Sequence, residues 1–441
     1  MFSALADKDF RWFFTGYLTS KLGSAMAPVA TAFAVLHTGV GAGGLGWVMA
    51  ARIVPVILLL LLGGVFADRL GGRPVMIASD VLRCGAQVAF GVLLLTGHAT
   101  LVAMAVTAAL SGIGEGVFSP SLQALIPRLI PDSRRGDANA LLSVAVSSAG
   151  VAGPALGGIV AAVWGGAGGP ASVLFIDAAS YAVSVVVLLR LAHVPQPEPG
   201  SRPTIIRDLR DGWEEFRSRT WLWLTTVQFA LFNALVWAPY LVLGPVVAER
   251  RLGGAGAWGL VLAANSAGSI VGGLALLGRK PRRPFLLSVV ATFGYVFTPA
   301  LLASNLALPF VCAAAAVTGF GGAVGQALDN TVTQKRVPVE VLGRITAYQT
   351  LGAFALGPLG LVIAGPLGSA FGIGAFLAFG AVFQFVTVAL MLALPTVRRL
   401  DMEDEDLSEP SATVVETVIE DEAPVSQPAP SPAPSPASSG G

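Results

Sequence analysis

Seven ionisable side chains stand in stretches of this chain that are otherwise apolar: Lys21, Arg52, Asp80, Arg83, Glu115, Asp177 and Asp329. Charge in such surroundings is costly, and it is retained where it holds a partner ion or carries a proton. Depth within each apolar run, at about 1.5 Å per helical residue, sorts them. Asp80 lies roughly 7 Å in, and Arg83 follows three residues later on the same helical face, which predicts a local ion pair. Asp177 sits shallow at the other end of its run, where capping or packing is expected. Asp329 lies near a run's end, suited to a gate or a helix-end pair. Lys21, Arg52 and Glu115 are deeper. Glu115, in "GIGEGVFSP", is the candidate proton carrier, with Lys21 or Arg52 holding it ionised until substrate or proton displaces the pair. A permanent structural ion pair is the competing reading.

These residues need elements to hold them, and composition says which. The chain has 441 residues, 54% hydrophobic and only 12% charged, with mean hydropathy +0.74. Soluble domains carry about 25% charged residues. A helix crossing a bilayer takes about 20 mostly apolar residues. About twelve such runs can be read, at roughly 11–37, 44–67, 75–97, 100–127, 138–163, 171–193, 221–247, 256–279, 285–304, 306–333, 345–368 and 371–395. Long uninterrupted runs favour an all-α polytopic membrane protein over a barrel, whose strands alternate polar and apolar. "MFSALADKDFRWFF" lacks the marks of a cleavable signal peptide, so the first run is expected to direct insertion itself. Cys84 and Cys312 fall inside runs, and His37, His98 and His193 lie near run ends without ligand spacing, so no disulfide framework or metal site is expected. No nucleotide-binding loop or nucleophile triad is legible. The expectation is therefore neither an enzyme nor a cofactor or nucleic-acid binder, with a proton gradient as the energy source.

Charge orients the runs. Outside them, Lys and Arg fall in alternate connections, from Lys8 and Arg11 through Arg128, Arg134 and Arg135 to Arg398 and Arg399. The intervening connections hold only Arg250 and Arg251. The bias of these residues toward cytoplasmic loops places both termini in the cytoplasm of a multi-pass protein in the plasma or inner membrane. After Arg399 the sign reverses: acids run from Asp401 to Glu422 with no Lys or Arg. "SQPAPSPAPSPASSGG" then reads as a disordered, solvating tail. The expected organisation is an N-terminal six-helix half (1–194), a cytoplasmic linker (195–220), a C-terminal half (221–396) and the tail (397–441). In the linker, Ile205, Leu209, Trp213 and Phe216 recur at helical spacing, predicting an amphipathic helix at the membrane surface.

The halves repeat. "GIGEGVFSPSLQALIPRLIPDSRRGDANA" from Gly112 aligns without a gap on "GFGGAVGQALDNTVTQKRVPVEVLGRITA" from Gly319. Gly112 meets Gly319, Gly114 meets Gly321, Arg128 meets Lys335 and Pro131 meets Pro338. A parallel duplication of six spans is a transporter pattern. "GGVFADRLGGRP" at 63–74 then resembles the loop 2–3 signature of the major facilitator superfamily, through Gly64, Asp68, Arg69, Gly71 or Gly72, and Arg73, with Pro74 in place of a final base. "GVAGPALGG" at 150–158 is similar to that superfamily's antiporter signature, through Gly150, Gly153, Pro154, Gly157 and Gly158. "FSPSLQALIPRLIP" looks like the twelve-span drug and siderophore exporter branch. The resemblance covers about residues 8–396.

That resemblance implies two six-helix halves around a central cavity. It implies a cytoplasmic latch at 63–74, with Asp68 bonding Arg73 or a helix end in the other half; Arg69 and Arg73 are equally well read as topology signals. Asp80, Arg83 and Asp329 are grouped with this cytoplasmic gate. Many relatives carry an acid where this chain has Ser24, so coupling falls on Glu115. In the seventh run, Asn233, Trp237 and Tyr240 share one face and are candidates to line the cavity, although lipid or packing faces suit the two aromatics as well. Gln228 is a further candidate. The leading expectation is proton-coupled export of a drug, antibiotic or secreted metabolite, small and amphipathic, by a monomer in the lipid bilayer. Import of a small nutrient and lipid flipping remain open alternatives.

Overall fold

The computed structural model describes residues 3–191, 213, 216–337 and 339–395, without the side chains of residues 3, 60–69, 339–340 and 343–344. The sequence-predicted amphipathic helix of the linker, the tail and the latch side chains Gly64, Asp68 and Arg69 lie outside what is described. Of the linker's apolar set, Trp213 and Phe216 are described: Phe216 is buried and stacks on Tyr348, ring centres 5.9 Å apart.

Long helices make up the chain. In order they are α1 (Lys8–His37), α2 (Gly41–Leu70), α3 (Gly72–Leu95), α4 (Leu101–Leu129), α5 (Asp132–Trp164) and α6 (Gly168–Arg190). Then follow α7 (Thr220–Leu252), α8 (Ala255–Leu276), α9 (Pro284–Ala291 and Gly294–Ala303), α10 (Leu308–Arg336), α11 (Val339–Ala355 and Gly357–Phe371) and α12 (Ile373–Ala393). Eleven of these, α2 to α12, contain segments long and apolar enough to cross a membrane. The more polar α1, 30 residues long, packs alongside α5 and α6. Large apolar side chains face outward along the bundle, among them Leu58, Val102, Leu189, Leu274 and Leu390. A water-soluble monomer does not expose so much apolar surface, and hydrocarbon accommodates it.

The helices outrun the apolar segments. The α5 helix begins at Asp132 rather than near 138, because its first turns are polar and extend beyond the hydrocarbon. The 63–74 stretch is not a loop. Helix α2 continues to Leu70, the chain turns at one residue, Gly71 (φ 85°), and α3 starts at Gly72. That left-handed conformation is the reason for a glycine there. A β-carbon on Gly72 would lie 2.5 Å from the Ser121 carbonyl, so the glycine pair also lets α3 start hard against α4.

The sequence repeat has a spatial counterpart. Gly112 lets α4 meet α2, where a β-carbon would lie 2.1 Å from Arg52 O; Gly319 lets α10 meet α8, at 1.8 Å from Asn265 O. Gly114 faces Arg83 and Ser79 of α3, and Gly321 faces Ala291 of α9. Within α1 to α6 the main packings are α2 on α4, α1 on α6 and α3 on both α4 and α6; within α7 to α12 they include α8 on α10, α9 on α10 and α9 on α12. Across the two groups, α5 packs on α8 and α2 on α11.

Those crossings are tightest at the end of the bundle farthest from where α1 begins. There a β-carbon on Gly46 would lie 2.1 Å from Leu361 O, one on Gly365 2.3 Å from Gly43 N, and one on Gly259 2.3 Å from Pro154 O. A single apolar core joins both groups at this far end, with Val29, Phe33, Leu45 and Val48 packed among Val242, Leu243, Trp258 and Leu361. At the opposite, terminal end the core divides. Phe10, Phe13, Met76 and Leu141 belong to a cluster of the first group, and Trp221, Phe285, Ile345 and Val388 to a separate cluster of the second.

Candidate functional site

Between the two helix groups lies a cavity of about 330 Å³, walled by α1, α2, α3, α4, α7 and α11. Its lining is mainly apolar, with Ile53, Phe90, Leu241 and Leu361 among a few polar groups: Thr31, Gln87, Ser111, Asn233 and the pair Arg52–Glu115. Such a mixture suits an amphipathic ligand, with apolar area for binding and few polar groups for orientation.

The pair is the chemical feature of this wall. Arg52 on α2 donates from Nη2 and Nε to one oxygen of Glu115 on α4, at 2.8 Å and 3.2 Å. Gly112, one turn before Glu115, brings the α4 backbone against Arg52 itself. Both side chains remain partly open to the cavity, 29% and 43% exposed. A guanidinium holding one carboxylate oxygen leaves the other free to take a proton or meet a ligand.

Lys21 does not share this pair. Its ammonium lies over the rings of Tyr17 and Phe118, 5.4 Å and 5.5 Å from their centres, with no carboxylate within ion-pair distance among the described residues. Of the two expected counter-charges, Arg52 is the one in contact.

Asp80 and Arg83 pair as their spacing predicts, and both are buried, at 0% and 4% exposure. Ser184 on α6 donates to the second Asp80 oxygen at 2.6 Å. The guanidinium is sandwiched between Phe118 and Tyr181, 4.4 Å from each ring centre. These partners all lie in the first six helices, so the pair bolts α3 to α4 and α6. Asp177 was expected to be shallow. It packs, fully buried, accepting from Gln87 Nε2 at 2.6 Å and lying against Ser180. Helix α6 starts at Gly168, three residues before the apolar run, which sets Asp177 about a turn deeper than the run alone suggests. Gln87 reaches the cavity wall, so a buried network starts there: Gln87 to Asp177, and beside it Tyr181 to Ser24 at 2.9 Å. Ser24 serves here as a tyrosine's partner.

Asn233 and Trp237 line the cavity, but Tyr240 does not. Residues Asn233–Trp237 form a π turn, with one extra residue per turn. The shared face of Asn233, Trp237 and Tyr240 holds only at 3.6 residues per turn, and the wider turn rotates Tyr240 into the core. It is 2% exposed there, 5.2 Å from Trp258 ring to ring, with no hydrogen-bond partner for its hydroxyl among the described residues. Gln228 and Asp329 line another cavity, confined to the last six helices.

Arg73 donates to the carbonyls of Leu188 and Leu189 at 2.8 Å and 2.9 Å, fastening the start of α3 to the end of α6. Along α5, Gly153 and Gly157 face Ala25 and Met26 of α1, while Pro154 and Gly158 face Gly259 and Ala255 of α8. Gly150 is looser, with Ser266 of α8 nearest. The small residues therefore let one helix touch two others on opposite faces.

Comparison with known proteins agrees with this architecture. The chain is 28% identical over 400 residues to the multidrug efflux pump Tap of Mycolicibacterium fortuitum, covering 87% of this chain and 95% of that protein. It is 21% identical over 402 residues to macrolide efflux protein A of Streptococcus pyogenes, covering 88% and 92%. It is 29% identical over 359 residues to the enterobactin exporter EntS of Shigella boydii, covering 77% and 80%. The crystal structure of the nucleoside transporter NupG superposes with a TM-score of 0.69 at 13% identity, covering 88% of this chain and 98% of that one, which speaks to the fold alone. Residues 13–360 carry the sequence pattern of the Major Facilitator Superfamily, and this chain belongs to that family of membrane transporters.

Proposed function

We propose that the chain is a secondary active transporter that exports small amphipathic compounds, drugs, antibiotics or a secreted metabolite, in exchange for protons. The observation that carries this is the Arg52–Glu115 pair on the wall of a largely apolar cavity. A proton arriving on Glu115 weakens its hold on Arg52, and a ligand can do the same by competing for either partner. The printed functions of the Tap, macrolide and enterobactin relatives, all efflux or export, favour the outward direction.

The cavity's shape supports alternating access by two six-helix halves, divided near residues 195–220, around the site. The far end is one continuous core and the terminal end is two. With both termini in the cytoplasm of the inner membrane, as the Lys and Arg distribution implies, this is a conformation closed outward and parted inward. Return requires the glycine crossings of α2 on α11 and α5 on α8 to open and the terminal ends to meet, with Asp68 as latch. In this reading a monomer suffices, because the cavity is complete within one chain.

Inside-out vesicles test the reading. Adding a panel of macrolides, siderophores and amphipathic amines to wild-type vesicles holding an imposed proton gradient should release protons for at least one compound. Silence across the panel with correctly inserted protein would favour uptake or lipid movement.

A further inference from the structure

The second half of the repeat keeps the glycines of the first but not its charges. At the offset that sets Gly112 on Gly319, Glu115 falls on Gly322. Where α4 packs on Arg52, α10 packs on Asn265. Without a side chain at Gly322, the Tyr295 hydroxyl occupies the space, 2.4 Å from where a β-carbon would sit. Beside it, among α7, α9, α10, α11 and α12, opens a cavity of about 240 Å³.

Four aromatic rings line this pocket, those of Phe229, Phe285, Tyr295 and Phe354, together with threonine hydroxyls and amides. Its carboxylate is Asp329, which has neither a hydrogen bond nor an ion pair among the described residues. The nearby amide of Gln326 donates to Asn330 instead. Lys335 on α10 and Arg283 at the start of α9 are exposed at the terminal end. The contrast with the other carboxylates is direct. Glu115 is met by Arg52 and Asp80 by Arg83. Among the described residues Asp177 has no ion pair either, but it is fully buried and lines neither cavity.

We infer that this pocket is a second ligand site, for a small organic cation bearing an aromatic or branched alkyl group, with Asp329 as its counter-charge. An ammonium beside the carboxylate supplies the charge the protein itself does not, and the rings receive both the cation's face and its apolar body. A cation entering the central cavity meets a carboxylate already neutralised by Arg52, so the two sites differ in what they select. Phe354 lines both cavities and precedes by two residues the break in α11 at Leu356. The pocket thus adjoins the central cavity, with the Phe354 ring lining both. The inference deepens the export reading and rests on it only for the direction in which a bound cation would travel.

The test is binding without any gradient. Phenyltrimethylammonium is titrated against the full-length protein in nanodiscs by saturation-transfer NMR, alongside its uncharged isostere tert-butylbenzene. The wild type should prefer the cation. Asp329→Asn should weaken the cation by about tenfold or more and leave the isostere within about twofold, while Asp329→Glu keeps most of the cation affinity. Unchanged isostere binding shows that the pocket is intact in each variant. Equal cation affinity in wild type and Asp329→Asn, equal loss of both probes, or no wild-type preference for the cation would each overturn the assignment. A vesicle experiment that denied proton-driven export would leave this result standing, and absent cation binding would leave export untouched.

Discussion

Arg52 and Arg83 are both arginines paired to a carboxylate, yet their surroundings give them different duties. Arg83 is locked between two rings with Asp80 behind it, away from any ligand. Arg83→Ala leaves Asp80 buried with Ser184 as its remaining partner, a loss of about 3–5 kcal/mol for a broken buried pair. The expected outcome is little folded protein in detergent extracts, read by size-exclusion profile. Arg52→Ala faces a cavity that water can enter, so it should yield folded protein that no longer moves substrate. Folded yields that rank the other way would invert the two roles. Tyr240→Phe removes a hydroxyl that has no partner among the described residues. It should leave the melting midpoint unchanged or raise it, since an unsatisfied buried polar group costs about 1–3 kcal/mol. At this scale the sequence was legible where two charges sit three apart on one helix, as for Asp80 and Arg83. It was not legible for Asp177, because its partner Gln87 is neutral and lies on a different helix.

Helices are held here by what their glycines omit. Across the far end, α2 meets α11 through Gly43, Gly46 and Gly365, and α5 meets α8 through Gly158 and Gly259. A β-carbon on Gly365 would lie 2.4 Å from Gly43 Cα, so Gly365→Leu should force α11 off α2 and reduce transport. Wild-type transport in Gly365→Leu would show that this contact does not hold the far end. Gly259→Leu should also abolish transport, since its β-carbon alone would already meet Pro154 O at 2.3 Å. The small-residue run of α5 was readable as a packing face, although not which helices it serves: one face takes α1 and the other α8. The π turn of α7 left no mark in the residue spacing. Pattern reasoning assumes one helical period, and a single wide turn shifts every later residue. Of the two places open to Tyr240, cavity and packing face, the wide turn gives it the packing face, while Asn233 and Trp237, inside the turn, reach the cavity.

The molecule's architecture was the most legible level, because hydrocarbon leaves few choices. Long apolar runs must be helices there, and the repeat from Gly112 onto Gly319 is matched by α4 on α2 and α10 on α8. What composition conceals is the asymmetry laid over that repeat. The first six helices carry Arg52, Glu115, Asp80, Arg83 and Asp177, and the second six answer with Asn265, Gly322 and Asp329, unpaired among the described residues. Two similar frames thus carry different chemistry. On this account, proton coupling belongs to the first frame, and Glu115 is its centre. The most direct measurement compares wild type with Glu115→Gln in proteoliposomes, recording substrate-evoked proton release and substrate-for-substrate exchange side by side. The account predicts that the variant still exchanges substrate across the membrane but releases no protons. Proton release at the wild-type rate in Glu115→Gln would contradict it.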